Sequence, residues 1–273
     1  MGVRRAVDMA LTALETYPQK KVMTLGPLIH NRTALEGLAL KGLSVLEEKD
    51  VENAEGESVV IIRAHGVPPT VRELLEHKNC TIIDATCPRV TASQSAVAEY
   101  AQNGWTVILA GDRNHGEVTG IAGYAGKHFI LVQNREEAAA LAAGRPEEKA
   151  VLLSQTTFSS AEFEAIALAV RRKYCTVRVM NTICPATRER QAALEKLCPA
   201  VDGILVIGGK NSANTKRLLL TAQRLCTRSE LIETAADIPP DFYTLRTIGL
   251  TAGASTPDSV ITEVEQTLQC GKK

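Results

Sequence analysis

Thr81-Ile82-Ile83-Asp84-Ala85-Thr86-Cys87-Pro88 and Val179-Met180-Asn181-Thr182-Ile183-Cys184-Pro185 carry one pattern twice: a short apolar run, a polar turn, then Thr-(x)-Cys-Pro at the start of a helix. Proline suits that first helical turn, because its φ is preset and its missing N–H has no helical partner there anyway. The two cysteines stand 97 residues apart, about one third of the chain. Twenty-eight residues beyond each lies a polar tip: His115 within Gly111-Asp112-Arg113-Asn114-His115-Gly116-Glu117, and Ser212 within Gly208-Gly209-Lys210-Asn211-Ser212-Ala213-Asn214. Roughly 70 residues beyond each lies a second tip, Gln155-Thr156-Thr157 and Gly253-Ala254-Ser255-Thr256. The first third holds the same two tips at Leu28-Ile29-His30-Asn31 and Arg63-Ala64-His65-Gly66. Three copies of one βα unit are therefore expected, at residues 1–86, 87–183 and 184–273, each presenting polar residues where open α/β sheets bind ligands.

The periodicities around these tips agree. Val3, Ala6, Val7, Ala10, Leu11 and Leu14 follow a helical repeat. Short apolar runs predict strands at Val22–Leu25, Val59–Ile62, Thr81–Asp84, Thr106–Ala110, Phe129–Val132, Val151–Ser154, Val177–Met180, Gly203–Ile207 and Arg246–Leu250. Helical stretches such as Thr70–Glu76, Thr91–Ala101, Glu162–Arg172 and Ala213–Arg224 separate most of them. Uninterrupted apolar strands alternating with helices mean an α/β chain with parallel sheets covered on both faces. Running the same offsets backward from His30 and His65 places a third cysteine at or just before Met1. The chain also opens in a helix, whereas the later copies enter theirs from a strand. Both signs predict that a first strand and its cysteine precede this sequence.

Composition narrows the function. The 273 residues include 31 basic and 31 acidic side chains, so the formal net charge is zero. Nucleic-acid binding needs a basic surface and is not expected; four Phe, five Tyr and one Trp leave little for base stacking. The longest apolar runs, Ala138–Ala143 and Ala165–Val170, are six residues, too short to span a membrane. Seven cysteines without a signal-peptide pattern point to a reducing, cytoplasmic setting. None forms a C-x-x-C pair, so a metal site must gather its ligands from distant positions.

Each candidate has a plain alternative. Cys87 and Cys184 are buried structural cysteines, or thiolates at convergent strand ends that hold one iron–sulfur cluster. Cys80, Cys175, Cys198, Cys226 and Cys270 read as structural or solvent-facing, without a repeat partner. His115 and Glu117 form an acid–base pair or a solvated turn. His30, His65 and His115 at equivalent points suit an anion, and Ser212, Asn214 and Ser255 add neutral donors of the kind found at phosphate-binding helix starts. Neither a Walker loop nor a G-x-G-x-x-G motif is present.

Taken in order, Gly2-Val3-Arg4-Arg5-Ala6-Val7, Ile29-His30-Asn31, Ala64-His65-Gly66-Val67, Asp84-Ala85-Thr86-Cys87-Pro88, His115-Gly116-Glu117-Val118, Gln155-Thr156-Thr157, Ile183-Cys184, Lys210-Asn211-Ser212-Ala213-Asn214 and Thr251-Ala252-Gly253-Ala254-Ser255 resemble the 4-hydroxy-3-methylbut-2-enyl diphosphate reductase family over essentially the whole chain. The resemblance implies a cloverleaf of three α/β domains in pseudo-threefold array around a 4Fe-4S cluster. It implies reductive removal of an allylic hydroxyl, giving isopentenyl and dimethylallyl diphosphate, the last step of non-mevalonate isoprenoid synthesis. Cys87 and Cys184 match two of the three cluster cysteines. The first belongs to a Gly-Phe-Cys-x-Gly-Val motif of which Met1-Gly2-Val3 remains, so weak or no activity is expected of the chain as written. Glu117 matches the proton donor and Thr156 the residue that positions it and the substrate hydroxyl. His30, His65, His115, Ser212, Asn214 and Ser255 match the diphosphate pocket, with Ala213 in place of a frequent serine. A ferredoxin or flavodoxin is the implied electron donor. Two other readings stay open: a non-catalytic paralogue that binds diphosphate or senses redox state through an incomplete cluster site, and a haem-binding regulator using its Cys-Pro pairs.

Overall fold

A computed structural model describes residues 2–29 and 32–271. In the first third α1 (Gly2–Thr16) is followed by β1 (Val22–Leu25), α2 (Arg32–Leu40), β2 (Ser44–Leu46), β3 (Val59–Ile62), α3 (Pro69–His77) and β4 (Thr81–Asp84). The helical repeat of α1 puts Ala6, Ala10 and Ala13 on its buried side. The strands pair in parallel in the order β2-β1-β3-β4.

The second third repeats this plan: α4 (Pro88–Gln102), β5 (Thr106–Ala110), α5 (Gly116–Ala125), β6 (Phe129–Val132), α6 (Arg135–Ala140), β7 (Lys149–Ser154), α7 (Ser160–Arg171) and β8 (Thr176–Val179). Its parallel order is β6-β5-β7-β8. Val107 and Leu109 face one apolar layer with Ile121 and Val151, while Ile108 and Ala110 face another with Phe158, Phe163 and Ile166. Burial on both faces is why its central strands read as unbroken apolar runs rather than alternating ones.

The last third contains α8 (Pro185–Leu197), β9 (Gly203–Ile207), α9 (Ala213–Leu225), β10 (Ser229–Ile232), β11 (Ile248–Ala252) and α10 (Asp258–Gly271), with the parallel order β10-β9-β11. Among the described residues this sheet has three strands where the others have four. The expected α/β class with parallel sheets is thus found. The chain divides into two compact units, Met1–Leu28 with Gly37–Cys184, and Ile29–Glu36 with Pro185–Lys273, so the first two sheets share a unit.

The repeat extends to single hydrogen bonds. Gly26, Gly111 and Gly208, each the residue after its central strand, donate N–H to the last residue of the neighbouring edge strand, Leu46, Val132 and Ile232. Cys87 and Cys184 each follow a turn closed by the residue three places earlier: Asp84 Oδ1 accepts from Thr86 N–H and Asn181 Oδ1 from Ile183 N–H. Cys80 and Cys175 also hold equivalent places, immediately before β4 and β8, which corrects the expectation that they lack a repeat. They lie at the opposite strand ends from Cys87 and Cys184.

Two strands escaped the sequence pattern. β2 and β10 are three- and four-residue edges that mix buried and exposed positions, so neither forms an apolar run. The expected Arg246–Leu250 strand begins two residues later, because Thr247 N–H and its hydroxyl are engaged by Asp202 Oδ2. Among the described residues no helix is long and apolar enough to cross a membrane.

Candidate active site

In the first unit, the site grows from the carboxyl ends of β5 and β7, neighbouring strands whose exit loops form a natural binding crevice. Gly111 leaves β5 without a side chain where a Cβ would sit 2.7 Å from Val118. The loop then reaches His115, the N-cap of α5, whose Nδ1 accepts the Glu117 N–H at 3.2 Å. A neutral His115 ring so held carries its proton on Nε2.

Glu117 lies in the first turn of α5 and is 1% exposed, so it is not part of a solvated turn. Its Oε1 accepts the backbone N–H of Thr156 at 2.6 Å and its Oε2 accepts the Thr156 hydroxyl at 2.7 Å. Thr156 sits just past the end of β7, and its carbonyl accepts the N–H of Cys184 at 2.8 Å. One residue thus joins the carboxyl group to the backbone that presents a thiol. Thr182 secures the same turn, donating its hydroxyl to the Ser154 carbonyl at 2.6 Å and accepting the Ser154 N–H at 2.8 Å.

Cys87 is held in the same manner, its N–H donating to the Ala64 carbonyl at 3.0 Å. Arg5 reaches from α1 to the Thr86 carbonyl at 2.8 Å, and a Cβ on Gly2 would lie 2.9 Å from Cys87 Sγ, so the start of α1 abuts this thiol. One residue beyond Ala64, the His65 ring meets that of His115 edge-on, with centroids 4.9 Å apart.

In the second unit, Ser212 caps α9 by accepting the Thr215 N–H at 3.3 Å. Asn214, in the first turn, is 5% exposed, and its Nδ2 is buried without a hydrogen-bond partner. A buried amide donor at a helix start is chemically suited to an anion. Ser255 is half-buried in the loop after β11. His30 lies outside the described residues.

The first unit therefore brings together His65, His115, Glu117, Thr156 and the backbone of Cys184, and the second holds Ser212, Asn214 and Ser255. Sequence reasoning passed over Arg63 and Gln155 as individuals, though both fall one residue beyond a buried strand. Gln155 is fully buried; its Oε1 accepts the Asp112 N–H and its Nε2 donates to Thr157 Oγ1. A long polar side chain at a strand exit was the available signal.

Half-buried thiols at the N-termini of α4 and α8 suit iron–sulfur chemistry, since thiolates prefer that end of the helix dipole. Cys87 and Cys184 fit as two thiolate ligands. Among the described residues no third thiol occupies an equivalent place, and no group of three or more His, Cys, Asp or Glu side chains gathers as a metal cage.

Residues 1–269 match the family described as LytB protein. The chain belongs to that family. A LytB relative from Treponema denticola, named 4-hydroxy-3-methylbut-2-enyl diphosphate reductase, is 47% identical over 98% of this chain and 94% of its own length. Another of that name from Aquifex aeolicus is 39% identical over 98% and 92%. Among solved structures, the E-1-hydroxy-2-methyl-but-2-enyl-4-diphosphate reductase from Plasmodium falciparum superposes with a TM-score of 0.91 at 28% identity, covering 98% of this LytB chain and 83% of that one. A second, titled as the terminal enzyme of the non-mevalonate pathway, is 38% identical with a TM-score of 0.69, covering 98% and 95%.

Proposed function

We propose that this chain is a 4-hydroxy-3-methylbut-2-enyl diphosphate reductase that uses a 4Fe-4S cluster and releases isopentenyl and dimethylallyl diphosphate. The observation that carries the reading is Glu117: buried at the start of α5, bonded through both oxygens to Thr156, with Thr156 bonded in turn to Cys184. That arrangement supports a carboxyl group serving as a proton donor beside a thiol-ligated centre. Nothing favours the non-catalytic or haem-binding alternatives.

The reaction breaks one allylic C–O bond, takes up two electrons and two protons, and gives a C–H bond and water. Cys87 and Cys184 would be among the ligands of a bound 4Fe-4S cluster, which would supply electrons and Lewis acidity. The protein's own part is positioning and proton supply. When Glu117 carries a proton, its O–H can donate to Thr156 Oγ1, which frees the threonine hydroxyl to donate to the substrate oxygen. The departing hydroxyl then leaves as water. His30, His65, His115, Ser212, Asn214 and Ser255 are proposed as diphosphate donors, and binding of that remote group orients the reacting end.

A ferredoxin- or flavodoxin-type donor is proposed to deliver the electrons, and the seven free thiols suit a reducing cytoplasm. Residues 1–86, 87–183 and 184–273 are proposed as the three repeats. Anaerobic reconstitution of the full chain with iron and sulfide tests the reading: bound iron should fall in Cys87→Ser and in Cys184→Ser, and reduced viologen should be oxidised only when the allylic diphosphate is added. Iron binding indifferent to both substitutions would remove the cluster from the account.

A further inference from the structure

We infer that Arg63 is a positioning residue for the His115–Glu117 turn, acting through a guanidinium lodged between Gly26 and Gly116; this rests on the reading of His115 and Glu117 proposed above. Arg63 follows β3 as Gln155 follows β7, and each lies over the glycine that ends the neighbouring central strand. Gln155 stays within its own repeat. Arg63, being longer, passes Gly26 and reaches the first residue of α5. A Cβ on Gly26 would stand 2.5 Å from Nη1, and one on Gly116 would stand 2.6 Å from Nη2. A side chain at either position would displace the guanidinium, and Gly26, at φ +69°, is favoured by its backbone as well.

The Arg63 side chain is 11% exposed and fastened by an ion pair from Nη2 to Glu48, itself 33% exposed, while Nε is buried without a partner. Displacing this largely buried charge would break its ion pair with Glu48, so the guanidinium ties Gly116 to the end of β3. The rest of α5 conforms. Gly120 lies against the His65 carbonyl, 3.4 Å from where its Cβ would be, and Gly123 against Pro68, 2.5 Å away. Positions 116, 120 and 123 share one helix face, so the segment from Arg63 to Pro68 lies against the α5 backbone. The edge-on contact of His65 with His115 follows from this seating.

The test uses the full chain with its five histidines labelled with nitrogen-15, and His115 assigned by its absence in His115→Gln. In the parent the His115 ring should report a single Nε2–H tautomer. Arg63→Met should convert this to a tautomer mixture and weaken binding of inorganic pyrophosphate at least tenfold by calorimetry. Arg63→Lys should restore part of both, supplying charge without the fork. Gly116→Ala, which leaves Arg63 and Glu48 intact but removes the guanidinium's room, should reproduce the tautomer change and decides the matter if Arg63→Met does not fold. An unchanged His115 signature in whichever of these two variants folds would overturn the role of Arg63. A parent that binds no pyrophosphate would count against the diphosphate pocket instead, with the tautomer still deciding the inference.

Discussion

Glu117 and Thr156 are 39 residues apart in the chain, yet they share two hydrogen bonds in a buried setting. Substituting Glu117→Gln keeps the shape and removes the transferable proton, so kcat should fall by about 10²- to 10⁴-fold, the usual share of a positioned general acid. The thermal midpoint should stay close to the parent's. Thr156→Val removes only the hydroxyl and leaves the backbone N–H on Glu117. Turnover should drop and recover in Thr156→Ser, as steady-state kinetics on the reconstituted chain can show. At this scale the recurring offsets singled out the loops that carry His115 and Thr156 as candidates. They did not reveal the bonds between the residues, because pairing across strands depends on register. The unpaired amide of Asn214 was likewise invisible until its burial was known.

Elements set the presentation of these groups. α5 begins on a histidine cap and lies against its neighbour by glycines, neither of which belongs to the usual amphipathic signature, so α5 is the helix the apolar pattern served least. α6 begins conventionally: Asn134 Oδ1 accepts the Glu137 N–H at 2.8 Å. Asn134→Ala should cost about 1 kcal/mol in urea unfolding, the common value of an N-cap. The turns before Cys87 and Cys184 are a more functional test of local structure. Asn181→Ala releases the Ile183 N–H and loosens the backbone at Cys184. Iron retained after reconstitution should therefore fall while secondary structure by circular dichroism does not. The available signal for these turns was an Asp or Asn at the end of an apolar run, which the strand pattern alone did not single out.

At the scale of the whole chain, the parallel α/β plan was the most readable feature, and the central strands were legible because burial on both faces leaves unbroken apolar runs. Edge strands β2 and β10, partly exposed, left no such trace. The cysteines divide by place in this frame. Cys175 and Cys270 are exposed and should react first with a thiol reagent, whereas burial pushes the Cys198 thiol up and keeps it neutral and slow. Acid stability follows from three carboxylates held below their ordinary range: Asp202 by the Thr247 backbone N–H, Asp237 by that of Thr234, and Glu137 by the Gln133 side chain. Their native forms bind protons less readily than the unfolded chain does. The stability they add is complete above about pH 4–5 and is lost as pH falls through their lowered native values, so the urea midpoint should decline from pH 5 toward pH 3. The central claim is that Glu117 supplies a proton to a reductive dehydroxylation. The direct measurement is product formation from 4-hydroxy-3-methylbut-2-enyl diphosphate, followed anaerobically by mass spectrometry in the parent and in Glu117→Gln. Isopentenyl and dimethylallyl diphosphate are expected from the parent, with a loss of at least about 100-fold in the variant; equal rates of product formation in the two would contradict the role of Glu117.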